Sequence, residues 1–231
     1  MSDISRLRDE YADRARRLSG SDIYSVSNPA NLFFIQGRQR AVLAALNKYG
    51  FSNLFNKRIL EMGCGGGGVL TEFVFFGASP DNLFGVDLLF DRLKQANFVL
   101  PKTHFANADG SCLPFSPDTF DLVMQYTAIS SILDLDIRRS ICADLIRVTR
   151  PGGLILSYDF WLNPTNPQTR GLRLAEIRQS FTGCLIEYNR ITLAPPLARK
   201  LVPFSWGLAY LLEKLRVFNT HYLAVIRPLK K

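Results

Sequence analysis

The chain has 231 residues, 47% apolar and 12% aromatic, which suits one folded domain and excludes a disordered one. No run approaches the roughly 18 apolar residues of a spanning helix, and the start at Met1-Ser2-Asp3-Ile4 lacks a signal-peptide core, so a cytoplasmic location is expected. Lysine and arginine outnumber aspartate and glutamate 28 to 20, a formal charge of +8 that fits either a solvated basic surface or anionic partners.

Residues 4–18 place Ile4, Leu7, Tyr11 and Leu18 at helical spacing, predicting an amphipathic helix. A second helix is expected over 31–48, with Phe34, Ile35, Val42 and Leu46 on its buried side and Gly50 as its stop. Together they make a helical cap over residues 1–50 of a single-domain chain whose main body is 51–231.

Residues 59–67 then run from an apolar strand through Glu61 into Gly63-Cys64-Gly65-Gly66-Gly67 and on to a helix start. Glycines at 63, 65 and 67 let the backbone turn sharply and present N–H groups to a ligand beside a helix N-terminus. Gly63-x-Gly65-x-x-Gly68 also satisfies the dinucleotide fingerprint, in which a pyrophosphate rests on the loop. Glu61 separates the two ligand classes, because a carboxylate there repels a pyrophosphate but attracts a ligand with an ammonium, a sulfonium and no phosphate, such as S-adenosylmethionine. Residues 82–87 read as a second buried strand ending in Asp87, placed to accept the hydroxyls of a ribose, with Leu88 beside it.

Further on, Ala108-Asp109-Gly110 suits a strand end that contacts adenine, and 119–123 a fourth strand leading to Gln125 and Tyr126. Helices are expected at 69–76, 89–97 and 135–148, which makes strands and crossover helices alternate as in a parallel sheet. Glu61, Asp87, Asp109 and Gln125 then fall at the carboxyl ends of strands, where such sheets bind ligands.

Beyond Trp161 come an irregular stretch at 163–167, a helix at 172–181 and a strand at 185–193 ended by Pro195-Pro196. Leu201, Phe204, Leu208, Leu211 and Leu215 predict one helix over 197–217 with a broad apolar face despite Pro203. That face is expected to cover the last strands of the sheet, with docking on a membrane as the alternative. Residues 221–226 form the final strand. Cys64, Cys112, Cys142 and Cys184 make no C-x-x-C pair and read as reduced thiols. His104 and His221 have no accompanying acid cluster, so no metal site is expected.

With these motifs in order, including Leu113-Pro114-Phe115, Phe120-Asp121 and the Arg150-Pro151-Gly152-Gly153 turn, the chain resembles the class I S-adenosylmethionine-dependent methyltransferases over about residues 55 to 160, most closely their type 11 small-molecule branch. The resemblance implies a Rossmann-like α/β fold with a mostly parallel seven-stranded sheet, helices on both faces and N-terminal covering helices. It implies S-adenosyl-L-methionine as cofactor, held by Glu61, Gly63, Cys64, Gly65, Gly67, Asp87, Leu88, Asp109, Gly110 and Gln125. In similar enzymes the N-terminal helices cover the cofactor, which brings in Tyr24, Arg38 and Arg40 as contacts for its carboxylate.

Because the sulfonium methyl is already activated, the protein's main task is alignment, and a base is needed only for a protonated acceptor such as an alcohol. Asp159, ending the fifth strand, is the first candidate for base or substrate anchor; His221 is a second, and Tyr126 is a wall of the acceptor pocket. Gln125-Tyr126-Thr127-Ala128 departs from the Asn/Asp-Pro-Pro-aromatic motif of base-amine methyltransferases, which excludes a DNA target. The tail from 158 to 227 looks like methyltransferases of glycan and secondary-metabolite pathways, so the expected acceptor is a sugar or other hydroxylated small molecule, anionic ones included. The alternatives are an RNA methyltransferase and a non-catalytic membrane- or partner-binding module on the same fold. Nothing in the pattern sets the oligomeric state.

Overall fold

The computed structural model describes residues 3–163, 166 and 168–230, apart from the side chains of residues 3, 4 and 15. The side chain of Ile4 in the first expected helix and positions 164, 165 and 167 of the irregular stretch lie outside what is described.

Continuous apolar runs make the central strands β1 (Ile59–Met62) and β4 (Phe120–Tyr126), which are buried at every position, as expected for parallel strands covered on both faces. β2 (Leu83–Asp87), β3 (His104–Asn107) and β5 (Thr149–Phe160) join them, and β6 (Cys184–Leu193) and β7 (Asn219–Pro228) complete a seven-stranded sheet of order β3-β2-β1-β4-β5-β7-β6. The sheet is mixed: β3 through β5 are parallel, whereas β7 runs antiparallel to both β5 and β6. β6 and β7 are joined through residues 194–218, which carry further helices, and β7 inserts between β5 and β6 antiparallel to both, so the parallel pattern ends at β5 by topology and not through a tight hairpin.

Helices α1 (Asp3–Arg17), α2 (Pro29–Lys48), α3 (Gly68–Phe75), α4 (Phe90–Val99), α5 (Leu135–Val148) and α6 (Leu174–Ser180) supply the cap and crossovers. One core cluster packs α2 and α3 on a face of the sheet through Leu46, Leu70, Phe73 and Met124; the other packs α5 and α6 on the opposite face through Ile141, Leu145, Ile155 and Ile177. In α2 the buried positions are Ala30, Phe33, Gly37, Val42 and Leu46, so Phe34 and Ile35 stand only half-buried beside that line. Phe33 sets the rotation, meeting Trp206 edge-on at 5.2 Å.

The single helix expected over 197–217 is two helices, α7 (Pro195–Leu201) and α8 (Trp206–Leu215). Pro203 lacks the N–H that would carry a helix through, and Ser205 restarts it by accepting from the Leu208 N–H at 3.2 Å. Prolines 195 and 196 stop β6 and open α7, where a missing N–H costs nothing.

Candidate functional site

The strand order reverses between β2-β1 and β4, and the glycine loop leaves β1 there, as in open α/β sheets that bind ligands in that crevice. Gly63 and Cys64 both donate to the carbonyl of Val86, at 2.7 and 3.0 Å, which ties the loop to β2. Gly63 has φ +75° and Gly65 φ +53°, a left-handed path that excludes most side chains. A Cβ at 63 would meet the Ala128 Cβ at 2.6 Å, and one at 65 would run into the Arg92 guanidinium. Asp87 closes the turn: one carboxylate oxygen accepts from the Gly65 N–H at 2.8 Å and the other from the Leu89 N–H at 2.8 Å. Gly67, at φ +80°, caps α3.

Beyond the strand ends opens a cleft of about 990 Å³. Gly63, Asp87, Leu88, Asp109, Gly110, Tyr126 and Tyr24 line it, so seven of the expected site residues meet in one place. Asp109 accepts from the Ser111 N–H and hydroxyl at 2.8 Å each, fixing the turn that presents Gly110. Tyr24 closes the mouth, its hydroxyl accepting from Arg14 at 2.7 Å. Cys64, Gly65 and Gly67 shape the loop from outside the cleft lining; Cys64 is buried, and burial pushes its thiol well above the usual range.

Glu61, Gln125, Asp159 and His221 do not line the cleft. The period-two alternation of the strands divides them. Gln125 and Asp159 are buried on the α5–α6 side, where Gln125 Oε1 accepts from the Ala128 and Ile129 N–H groups at 3.1 and 3.2 Å and Asp159 accepts from the Ser130 N–H at 3.0 Å. They hold the turn after β4 from beneath, and Asp159 is no rim residue. Burial pushes Asp159 up to about 6, against the pull of its bonds to Ser130. His221 stacks on Tyr158 at 4.9 Å, and desolvation together with the positive Arg38 lowers it to about 3, so the ring is neutral at physiological pH.

Glu61 falls on the α2 side with Tyr126 and Tyr158. Arg38 sits over both tyrosine rings, at 5.4 and 5.6 Å, and is paired with Glu72. It therefore lies behind the cleft wall, while Arg40 is on another surface with Glu213 at 3.7 Å. Glu61 Oε2, the Tyr126 hydroxyl and Arg38 Nε are buried without hydrogen-bond partners, which is costly unless something polar completes the set. Burial pushes Glu61 up to about 8, partly offset by Arg38. The folded protein thus binds a proton that the unfolded chain releases above its ordinary value of 4.5, and stability falls as pH rises from there through 8. Glu61→Gln mimics the protonated form, so its melting temperature should match the parent near pH 5 and exceed it increasingly toward pH 8; a constant difference across that range would refute the assignment.

Arg8, Tyr11, Arg14, Arg92 and Thr127 line the cleft without having been singled out. Arg92, in the first turn of α4 after Asp87, reaches over the loop to the ring of Tyr11 at 5.1 Å. That spacing was its only sequence signal. Thr127 adopts φ +55°, unusual for a β-branched residue, and its N–H donates to Tyr158 O at 2.7 Å.

The donor set fits S-adenosylmethionine. Asp87 and Asp109 face the cleft as acceptors for hydroxyl or amine groups and Arg14 in the lining suits a carboxylate, while the orphaned Glu61 oxygen stands behind the lining. Among the described residues no group of three or more His, Cys, Asp or Glu side chains could hold a metal ion.

A family model described as a methyltransferase domain matches residues 59–153. The chain is 30% identical over 184 residues to an uncharacterised methyltransferase of Mycobacterium avium, covering 74% of this chain and 67% of that one. It is 33% identical over 115 residues to phthiotriol/phenolphthiotriol dimycocerosates methyltransferase 1 of Mycobacterium ulcerans, covering 49% of this chain and 40% of that one. The chain spans less than half the length of several curated relatives it matches. Among solved structures, a TehB-like SAM-dependent methyltransferase from Corynebacterium glutamicum superposes with a TM-score of 0.59 at 20% identity, over 95% of this chain and 97% of that one, a likeness of fold.

Proposed function

The chain belongs to the class I S-adenosylmethionine-dependent methyltransferases, with S-adenosylmethionine as its cofactor, and from that premise we propose that it methylates a hydroxyl oxygen of a small molecule with an apolar body, a sugar derivative or other hydroxylated metabolite. The observation that carries this reading is the cleft lining, which combines the apolar Leu7, Ile132, Ile137 and Ile141 with the ring of Tyr126 and with Thr127 and Ser131, whose hydroxyls donate to backbone carbonyls at 2.8 and 3.3 Å and keep their acceptor lone pairs. Such a wall buries hydrocarbon and offers hydroxyl partners. The relative from Mycobacterium ulcerans is named for phthiotriol acceptors, whose name carries alcohol groups, which supports the same class. Arg8 and Arg14 at the α1 side suit an acidic group on the acceptor.

When bound, S-adenosylmethionine supplies a methyl group made electrophilic by its sulfonium. The residues then have to orient the acceptor oxygen and exclude water. Tyr126 walls the cleft with its ring, while its hydroxyl is buried without a partner and burial raises it far above the usual range, so it stays protonated and abstracts no proton. Asp159 acts through the Ser130 N–H as a positioning residue of the turn after β4.

The test is transfer of radiolabelled methyl from S-adenosylmethionine into separate pools of hydroxylated lipids, glycans and amines. Label in an alkali-stable ether in the first two pools is expected. Label confined to nitrogen would overturn the reading.

A further inference from the structure

The apolar stripe that sequence periodicity assigned to the core faces solvent. Leu208, Leu211 and Leu215 follow one another by three and four residues, so they share one side of α8, and Phe204 precedes them in the turn between α7 and α8. All four are exposed: Phe204 by 89%, Leu208 by 47%, Leu211 by 57% and Leu215 by 59%. The chain continues into Val217 and Phe218, exposed by 68% and 50%. What α8 buries instead is Ala209, packed with Phe33 and Leu193. An uninterrupted apolar line of this kind is not the scattered exposure of an ordinary surface.

The charge beside the line is mostly positive. Over residues 195–218 the cations are Arg199, Lys200, Lys214 and Arg216, and the sole acid is Glu213, which is already 3.7 Å from Arg40. Lys200 is exposed, and Lys214 lies between Leu211 and Leu215 in sequence with its ammonium over the Tyr210 ring at 5.1 Å. Along the other flank of α8 a groove of about 330 Å³ is lined by Arg40, Lys48, Arg190, Lys214 and Arg216 against Glu187 and Glu213. A protein partner matched to the stripe alone would not need that excess of cations. An anionic bilayer matches both, taking leucine and phenylalanine side chains below its phosphates and leaving lysine and arginine among them.

We propose that α8, with the end of α7 and the segment through Phe218, docks this protein on the surface of anionic lipid bilayers. The surface stands apart from the cofactor cleft, since none of the stripe or groove residues lines that cleft, so the proposal holds whatever the acceptor proves to be.

The test is vesicle co-sedimentation of the whole protein with phosphatidylcholine alone and with phosphatidylcholine containing one third phosphatidylglycerol, at low and high salt. Association is expected with the anionic vesicles only and is expected to fall with salt. Leu211→Glu with Leu215→Glu should abolish it, while melting temperature and S-adenosylmethionine binding stay at the parent values. Lys200→Gln with Lys214→Gln should weaken it by about 25-fold, about fivefold per charge. Failure to associate at low salt, or association untouched by both double variants, overturns the proposal. So does light scattering that shows a dimer dissociated by the leucine variants with no vesicle binding, since the stripe would then be covered by a second copy of this chain.

Discussion

Replacing Asp87 with alanine should weaken S-adenosylmethionine binding by on the order of 100-fold, read as a dissociation constant by isothermal titration calorimetry. The carboxylate does two things at once. It accepts from the Gly65 and Leu89 N–H groups at 2.8 Å each, holding the glycine loop against the start of α4, and it faces the cleft where the ribose would lie. Each charge-assisted bond is worth about 1.5–3 kcal/mol. Losing the ligand's share and loosening the loop therefore costs about 3 kcal/mol of binding. Asp87→Asn keeps one acceptor oxygen and should fall between. If alanine at 87 binds the donor as the parent does, the cleft is not the donor site.

Gly63→Ala is expected to remove activity and to lower stability by about 2–5 kcal/mol, combining about 1–2 kcal/mol for a left-handed alanine with about 1–3 kcal/mol for overpacking. The contact at 2.6 Å is with the Cβ of Ala128, which has no torsion by which to move aside. The turn that carries Ala128 is held in turn by Gln125 and Asp159. Gly50 makes the control, because its φ is +77° and nothing lies within 4 Å of its would-be Cβ. Gly50→Ala should cost only the backbone term, about 1–2 kcal/mol. Chemical denaturation of both variants checks the difference. Equal losses would mean that the approach of the glycine loop to the turn after β4 is not tight in solution.

The pairing of Gln125 and Asp159 beneath that turn explains why two residues at strand ends were legible as important but not in their role. Sequence places their Cα atoms at the carboxyl edge of the sheet, in register at Met62 with Gln125 and at Tyr126 with Tyr158. It does not say whether the following turn folds over a side chain or away from it. Here the backbone N–H groups of Ala128, Ile129 and Ser130 turn inward and take both side chains as partners. His221 went the same way, because the antiparallel insertion of β7 beside β5 puts it against Tyr158 rather than at the acceptor rim.

The glycine loop, the acid ending β2 and the order of strands and crossover helices were set by the sequence alone. Each is a local demand: left-handed backbone accepts glycine, a buried parallel strand needs an unbroken apolar run, and a carboxylate at a strand end stays within a few residues of the loop it serves. Only the tertiary structure decided the direction in which the α8 stripe points and which arginines reach the cleft. Periodicity fixes which side chains share a face, but what that face meets depends on Ala209 packing on Phe33 across a long loop closure, and Arg92, Arg38 and Arg40 differ only in the distant surfaces their helices rest on.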